Sequence, residues 1–251
     1  SALGALAVFN RNTDEGDLVE KAVDQSKRAE KAAEEAVNEN RTEHKDDKKE
    51  EFPGEKRAEH REHILVLGVR EEADRALARI SGKENCFAAA VFSKFDDALA
   101  PDAPHVVLHN PSDQGNVGTI LRTALGFGVE DIALIRPCVD VFDPRVVRAS
   151  MGSLFSLRVK VYDTFEDYQA EHPGRALYPF MLDGSVMLEQ AVEAVKQPYA
   201  LVFGNEGSGL PPEFAQLGQA VRIPHSNEID SLNLSIAVGI GAYAFVHAQE
   251  K

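Results

Sequence analysis

Three short polar stretches of this chain hold residue types that could build a small-molecule pocket. The first is Asn110-Pro111-Ser112-Asp113-Gln114-Gly115-Asn116-Val117-Gly118, followed by Thr119 and Arg122. Asn116 is placed to cap a helix, and Arg122, within two turns of that helix's start, could reach back toward an anion. A helix cap with a surface salt bridge would use the same residues. The second is Phe203-Gly204-Asn205-Glu206-Gly207-Ser208-Gly209-Leu210-Pro211. Its glycines permit left-handed backbone and close approach of a ligand to the main chain. The third is Ile223-Pro224-His225-Ser226-Asn227-Glu228-Ile229-Asp230-Ser231-Leu232-Asn233-Leu234-Ser235. There an apolar strand runs into a proline and a polar loop, and a Ser-Leu-Asn step opens an apolar helix, with Ser231 the expected cap and Asn233 inside the first turn.

The second stretch contains neither GxGxxG nor GxxxxGK[ST]. Glu206 at its centre would repel phosphate, so backbone bonds to an adenosine fit it better than a phosphate cradle, with a generic glycine turn as the alternative. A dinucleotide enzyme is further disfavoured because this glycine loop falls late rather than after the first strand.

The elements that must carry these loops alternate from residue 104 onward. Strands are expected over 105–108, 131–135, 155–161, 176–182, 199–203 and 220–223. Helices are expected over 117–127, 144–153, 165–171, 188–195 and 212–217, and from Ser231 onward. Such alternation predicts an α/β fold, a mostly parallel sheet with helices on both faces. Ligands of such sheets bind at the carboxyl ends of the strands. Ahead of it, 63–103 reads as a small α/β segment, with strand 64–69, helix 71–80 and a short apolar piece at 88–92. Residues 1–62 read as a charged, partly helical extension or linker: an Ala-rich stripe over 17–37, then an almost wholly polar run to Arg61.

The three motifs in this order resemble the SpoU/TrmH family of RNA 2′-O-ribose methyltransferases, of the SPOUT class. Asn116-Val117-Gly118-x-x-x-Arg122-Thr123-Ala124 is similar to the family's first motif. Phe203-Gly204-Asn205-Glu206-Gly207-x-Gly209-Leu210 is similar to its second. Ile223-Pro224 with Ser231-Leu232-Asn233-Leu234-Ser235 is similar to its third. Arg148-Ala149-Ser150-Met151-Gly152-Ser153-Leu154-Phe155 resembles the segment between the first two. The likeness covers about residues 104–249, and its domain would be 104–251.

The resemblance implies a C-terminal trefoil knot, S-adenosylmethionine bound in it, a homodimer, and tRNA or rRNA as the methylated partner. By motif match, Gly204, Ile223 and Leu232 would touch the cofactor through main chain, with Phe203, Asn205, Pro224 and Leu234 nearby. Arg122, Asn116, Glu206, Ser231 and Asn233 would form the catalytic cluster. Family schemes make the arginine a base; a guanidinium pKa above about 12 makes that costly. Arg122 is therefore expected to hold a phosphate and stabilise the oxyanion, oriented by Asn116 and Glu206. His225-Ser226-Asn227 departs from the methionine and glycine usual after the third motif's proline. The other reading of the motifs is a knotted RNA-binding or ribosome-assembly protein without catalysis.

The net charge of −14, from 27 Lys+Arg against 41 Asp+Glu, argues against a protein that coats nucleic acid nonspecifically, because such binding rests on neutralising phosphates. A local basic face remains compatible, with Arg122, Arg136, Arg145, Arg148 and Arg158 as candidates. Cys86 and Cys138 are far apart and no Cys/His cluster exists, so neither a disulfide framework nor a metal is expected. A reducing, cytoplasmic location follows. No signal peptide is legible, and the apolar run 232–248 is interrupted by Asn233, Ser235, two glycines and His247, which predicts a buried or interface helix, not a membrane span.

Overall fold

The computed structural model describes residues 65–68, 88–91, 94–226 and 228–248. The chain divides into two units, Ser1–Phe95 and Asp96–Lys251. In the first, β1 (Leu65–Gly68) pairs antiparallel with β2 (Ala88–Val91), Leu65 opposite Val91. The charged extension, its linker and the helix expected over 71–80 lie outside the described residues.

The second unit contains β3 (His105–His109), β4 (Asp131–Ile135), β5 (Arg158–Tyr162), β6 (Ala176–Pro179), β7 (Val186–Met187), β8 (Tyr199–Phe203) and β9 (Val221–Arg222). Its helices are α1 (Gln114–Gly126), α2 (Pro144–Ala149), α3 (Phe165–Glu171), α4 (Leu188–Ala191) and α5 (Leu234–His247). Five strands form a wholly parallel sheet in the order β5-β4-β3-β8-β6, and β7 pairs with β9 beside it. The central strands read as unbroken apolar runs and are buried at nearly every position, which requires cover on both faces. On one face Val107, Ala133, Ile135, Ala200 and Val202 pack with Tyr162, Phe165, Tyr168 and Phe214.

Several elements are shorter than their apolar pattern suggests. The helix expected over 144–153 ends at Ala149, because Met151 and Gly152 take φ of 51° and 91°. A 3-10 turn, Ser153–Phe155, then delays β5 to Arg158. The strand expected to reach 182 stops at Pro179; Phe180 donates its N–H to Val202 yet bridges to Val221, turning the chain from β8 toward β9. The helix expected over 188–195 is one α turn followed by a 3-10 turn, Val192–Ala194.

Two close approaches set the helices that flank the carboxyl end. A Cβ on Gly118 of α1 would lie 2.4 Å from the Ala149 Cβ and 2.6 Å from the Val146 carbonyl oxygen. No larger residue could sit where α2 crosses α1. A Cβ on Gly241 of α5 would lie 2.8 Å from the Phe180 ring, which stacks on Phe203 at 4.3 Å.

The amino ends of the strands carry a buried polar belt. His105 bonds the Tyr168 hydroxyl (3.0 Å) and the Ala100 carbonyl (2.7 Å). A carbonyl only accepts, so Nε2 carries the proton and Nδ1 accepts from tyrosine. Burial, then the nearby Arg175 charge, push the His105 pKa from 6.5 down to about 3. Arg175 donates to the carbonyls of Ala100, Pro101, Ala103 and Tyr199, fastening residues 100–103 across the strand starts. Asp131 is fully buried and takes a bidentate pair from Arg158, which also lies 3.5 Å from Glu130. Arg158, expected on a nucleic-acid face, is thereby removed from it: two carboxylates hold it at the opposite end of the sheet from the loops.

Candidate active site

After β3 the chain turns toward β4, and after β8 it turns the other way, toward β9. These adjacent parallel strands send the chain to opposite sides, the topological switch point at whose carboxyl ends ligands of open α/β sheets bind. The first two polar stretches are the loops leaving these strands.

The second loop closes on itself. Asn205 and Gly209 exchange main-chain hydrogen bonds of 3.2 and 2.9 Å, and the Asn205 Oδ1 accepts from the N–H groups of Gly207 (2.9 Å) and Ser208 (3.1 Å). Its Nδ2 donates to the Asn110 carbonyl at 2.8 Å, tying the loop to the end of β3. A Cβ on Gly204 would lie 2.1 Å from the Gly209 carbonyl carbon, and Gly209 has φ of 70°; both positions need glycine for that fold.

Glu206 binds the start of α1. One oxygen accepts from the Ser112 N–H (3.0 Å) and hydroxyl (2.9 Å); the other accepts from the Asp113 N–H (3.1 Å) and Asn116 Nδ2 (3.4 Å). Partial burial pushes its pKa up, but the donors, led by the Ser112 main chain, outweigh that and hold the carboxyl below its usual value. A carboxylate among N–H groups at a helix N-terminus also suits the helix dipole.

Asn116 then passes the connection to the third loop. Asn233 Oδ1 accepts from the Ser235 N–H (2.9 Å) and hydroxyl (2.6 Å), which leaves its Nδ2 to donate to Asn116 Oδ1 at 3.0 Å. Glu206 only accepts, so it claims the Asn116 Nδ2. Both amide orientations are thus set by their partners. The chain Ser112–Glu206–Asn116–Asn233–Ser235 joins all three loops.

Two caps differ from expectation. Asp113, not Asn116, caps α1, its Oδ1 accepting the Asn116 N–H at 2.7 Å; α1 therefore starts at Gln114 and frees the Asn116 side chain. Asn233, not Ser231, caps α5, because α5 begins one residue after Asn233 while Ser231 stands exposed two residues earlier. Neither Asn116 nor Glu206 touches Arg122. Six residues on, Arg122 stands about 120° round the helix from Asn116. It is exposed and has no hydrogen bond or ion pair among the described residues. Glu206 instead orients Asn116. Ser112 and Asp113 join the site although the motifs single out neither; a serine-aspartate step ahead of an apolar helical run is the start signal that marks them.

The residues matched to cofactor contacts divide. Phe203 and Leu234 have side chains buried in the core, and the Asn205 side chain is spent between its own loop and the end of β3. Pro224 is exposed. The amides of Gly204, Ile223 and Leu232 make no hydrogen bond among the described residues, though Gly204 is buried and the other two are half-buried. Buried amides need partners, and a ligand held through main chain, as an adenosine would be, fits them. Gly204 and Ile223 stand just past β8 and β9, on either side of Phe180, and Leu232 adjoins Asn233. The His225 Nδ1 donates to the Ile223 carbonyl at 3.0 Å. Among the described residues no cluster of His, Cys, Asp and Glu could hold a metal, and no helix is long and apolar enough to cross a membrane.

Residues 103–243 match the family model described as the SpoU rRNA methylase family. The chain belongs to this family. Among curated SpoU relatives and related proteins, a tRNA/rRNA methyltransferase from Synechocystis is 32% identical over 180 residues, 66% of this chain and 63% of that protein. The 23S rRNA (adenosine(1067)-2′-O)-methyltransferase of Streptomyces azureus is 30% identical, over 60% of this chain and 57% of its own length. The chain thus spans about three fifths of these relatives. The crystal structure of an AdoMet-bound rRNA methyltransferase from Sinorhizobium meliloti superposes with a TM-score of 0.65 at 30% identity, covering 69% of each chain.

Proposed function

We infer that the chain is an S-adenosylmethionine-dependent methyltransferase that modifies a ribose 2′-hydroxyl in tRNA or rRNA. The observation that carries this reading is the hydrogen-bonded junction of Glu206, Asn116 and Asn233 across three loops of a SpoU-family domain. The unpaired amides of Gly204, Ile223 and Leu232 support main-chain binding of the cofactor, which when bound supplies an electrophilic sulfonium methyl. Catalysis of such a displacement rests on alignment more than on covalent help. Asn116 and Asn233 wall the acceptor side, and Glu206 keeps Asn116 in place. Arg122 holds a phosphate beside the target ribose and stabilises the developing oxyanion.

Arg122 faces away from the junction of its own chain, which supports a homodimer in which it serves the partner's site. Helix α5 is apolar on all sides, and Ile236 and Tyr243 remain exposed, Tyr243 edge-on to Phe127 at 5.6 Å. A second copy is the occupant that would cover this stripe. The turn of the chain from β8 toward β9, with the likeness of the second and third motifs, supports a trefoil knot. A free Cys138 among the described residues supports a cytoplasmic setting.

Calorimetry tests the cofactor half: S-adenosylhomocysteine is expected to bind, and NAD and ATP are not. Absence of binding would sink the reading. Arg122→Lys is expected to lower turnover; full activity with an unchanged pH profile would remove both the base role and the bidentate phosphate role.

A further inference from the structure

In a chain this acidic, an arginine that no carboxylate holds meets RNA without first giving up an ion pair. Of the five arginines expected on a nucleic-acid face, three are held. Arg158 lies with Asp131 and Glu130 at the far end of the sheet. Arg136 is 3.0 Å from Asp163. Arg145 folds its Nε and Nη2 onto Asp143 at 3.1 Å and feels the Asp113 carboxylate as well. Arg122 and Arg148 are exposed and have no hydrogen bond or ion pair among the described residues.

These two come from neighbouring elements at one crossing. Helix α2 meets α1 at Gly118, where a Cβ would lie 2.4 Å from Ala149, 2.6 Å from the Val146 oxygen and 3.0 Å from the Ser150 nitrogen. Gly118 lies between Asn116, in the loop junction, and Arg122. Arg148 belongs to the same last turn of α2, between Val147, which is buried, and Ala149, and it points to solvent. Gly118 stands about 40° round α1 from Arg122 and about 160° from Asn116, so the glycine contact sets the last turn of α2, with Arg148, on the Arg122 side of α1.

We propose that Arg148 is a phosphate-binding residue that positions the RNA strand beside Arg122, at whichever subunit's site Arg122 serves. This rests on the methyltransferase reading for the identity of the ligand as RNA. The chemistry recognised is the phosphodiester backbone, which a guanidinium pairs with in bidentate fashion, so the contact is independent of base sequence. A merely structural Arg148 would serve as a cation at the end of α2 and would affect stability alone.

The test uses the full chain and a short labelled RNA hairpin as probe, titrated from about 50 to about 200 mM salt. Arg148→Ala is expected to weaken binding several-fold and to reduce the slope of log affinity against log salt by roughly one. Arg148→Lys should keep the slope, and Arg145→Ala, whose charge is already paired, should leave it as in the wild type. S-adenosylhomocysteine affinity and melting temperature should be unchanged by Arg148→Ala, and the loss of methyl transfer should fall on KM for RNA, with kcat retained. An unchanged slope in Arg148→Ala, or a fall in slope equal to that of Arg145→Ala, overturns the proposal. RNA binding absent from the wild type while S-adenosylhomocysteine binds overturns it too, leaving the cofactor reading standing; failure to bind S-adenosylhomocysteine, with the salt slope behaving as expected, strikes the methyltransferase reading instead.

Discussion

Replacing Glu206 by Gln keeps the side chain's shape and removes its charge and half its accepting capacity. The carboxylate accepts from Ser112 twice, from Asp113 and from Asn116. An amide can serve one pair of these donors and presents its own N–H groups to the other. Two charge-assisted hydrogen bonds are lost, each worth about 1.5–3 kcal/mol when shielded. This site is partly open, so water replaces part of them, and a net loss of roughly 2 kcal/mol is expected. For a domain of about 150–250 residues that lowers Tm by about 4–8 °C. The kinetic effect should be larger in proportion: if Asn116 and Asn233 drift by about 1 Å, methyl transfer falls on the order of 100-fold. Differential scanning calorimetry and single-turnover methyl transfer, run on the same preparations, read both. The pH dependence supplies a control. The folded Glu206 pKa lies below its unfolded value, so the wild type's advantage over the variant is present above the unfolded value and disappears as pH falls through the folded one. A Glu206→Gln protein with wild-type Tm and turnover at neutral pH would refute the view that this carboxylate joins the loops.

Two further outcomes follow from the packing and the buried belt. Gly204→Ala places a Cβ 2.1–2.4 Å from the Gly209 and Leu210 main chain, so the second loop must open; S-adenosylhomocysteine affinity measured by calorimetry should fall about tenfold or more. The folded His105 pKa of about 3 lies below its unfolded value of 6.5, so the unfolded state binds more protons between those values and stability falls as pH drops through that window. The limiting cost is on the order of 5 kcal/mol. Denaturant unfolding of His105→Gln should show a shallower loss from pH 6.5 downward, the remainder coming in part from His172, whose pKa burial also lowers; an unchanged slope would clear His105.

The strands were legible where apolar runs were short and bounded. β3, β4 and β8 lie within a residue of their expected spans because bounded apolar runs too short for a helix suit buried parallel strands. Boundaries failed where backbone conformation, not hydrophobicity, decided: the left-handed Met151 and Gly152 end α2, and Phe180 leaves β8 for a bridge to Val221. At the site, the three loops could be read from their glycines and polar residues, and Asn116, Glu206 and Asn233 do meet. Which groups pair with which could not be read. Glu206 reaches Asn116 across 90 positions, and the competition of Ser112 and Asp113 for its oxygens exists only in three dimensions. Charge pairing was hidden for the same reason: Arg158 and Arg148 look alike in the sequence, and only burial of Asp131 tells the held arginine from the open one.

The most direct measurement of the central claim follows the methyl group itself. The protein is incubated with labelled S-adenosylmethionine and undermodified tRNA and rRNA, and the RNA is then hydrolysed in alkali. A 2′-O-methyl blocks cleavage at its own phosphodiester, so label is expected in alkali-stable dinucleotides, and Asn233→Ala should reduce it on the order of 100-fold through lost alignment. Label recovered in mononucleotides carrying a methylated base would contradict the account, as would full transfer by Asn233→Ala.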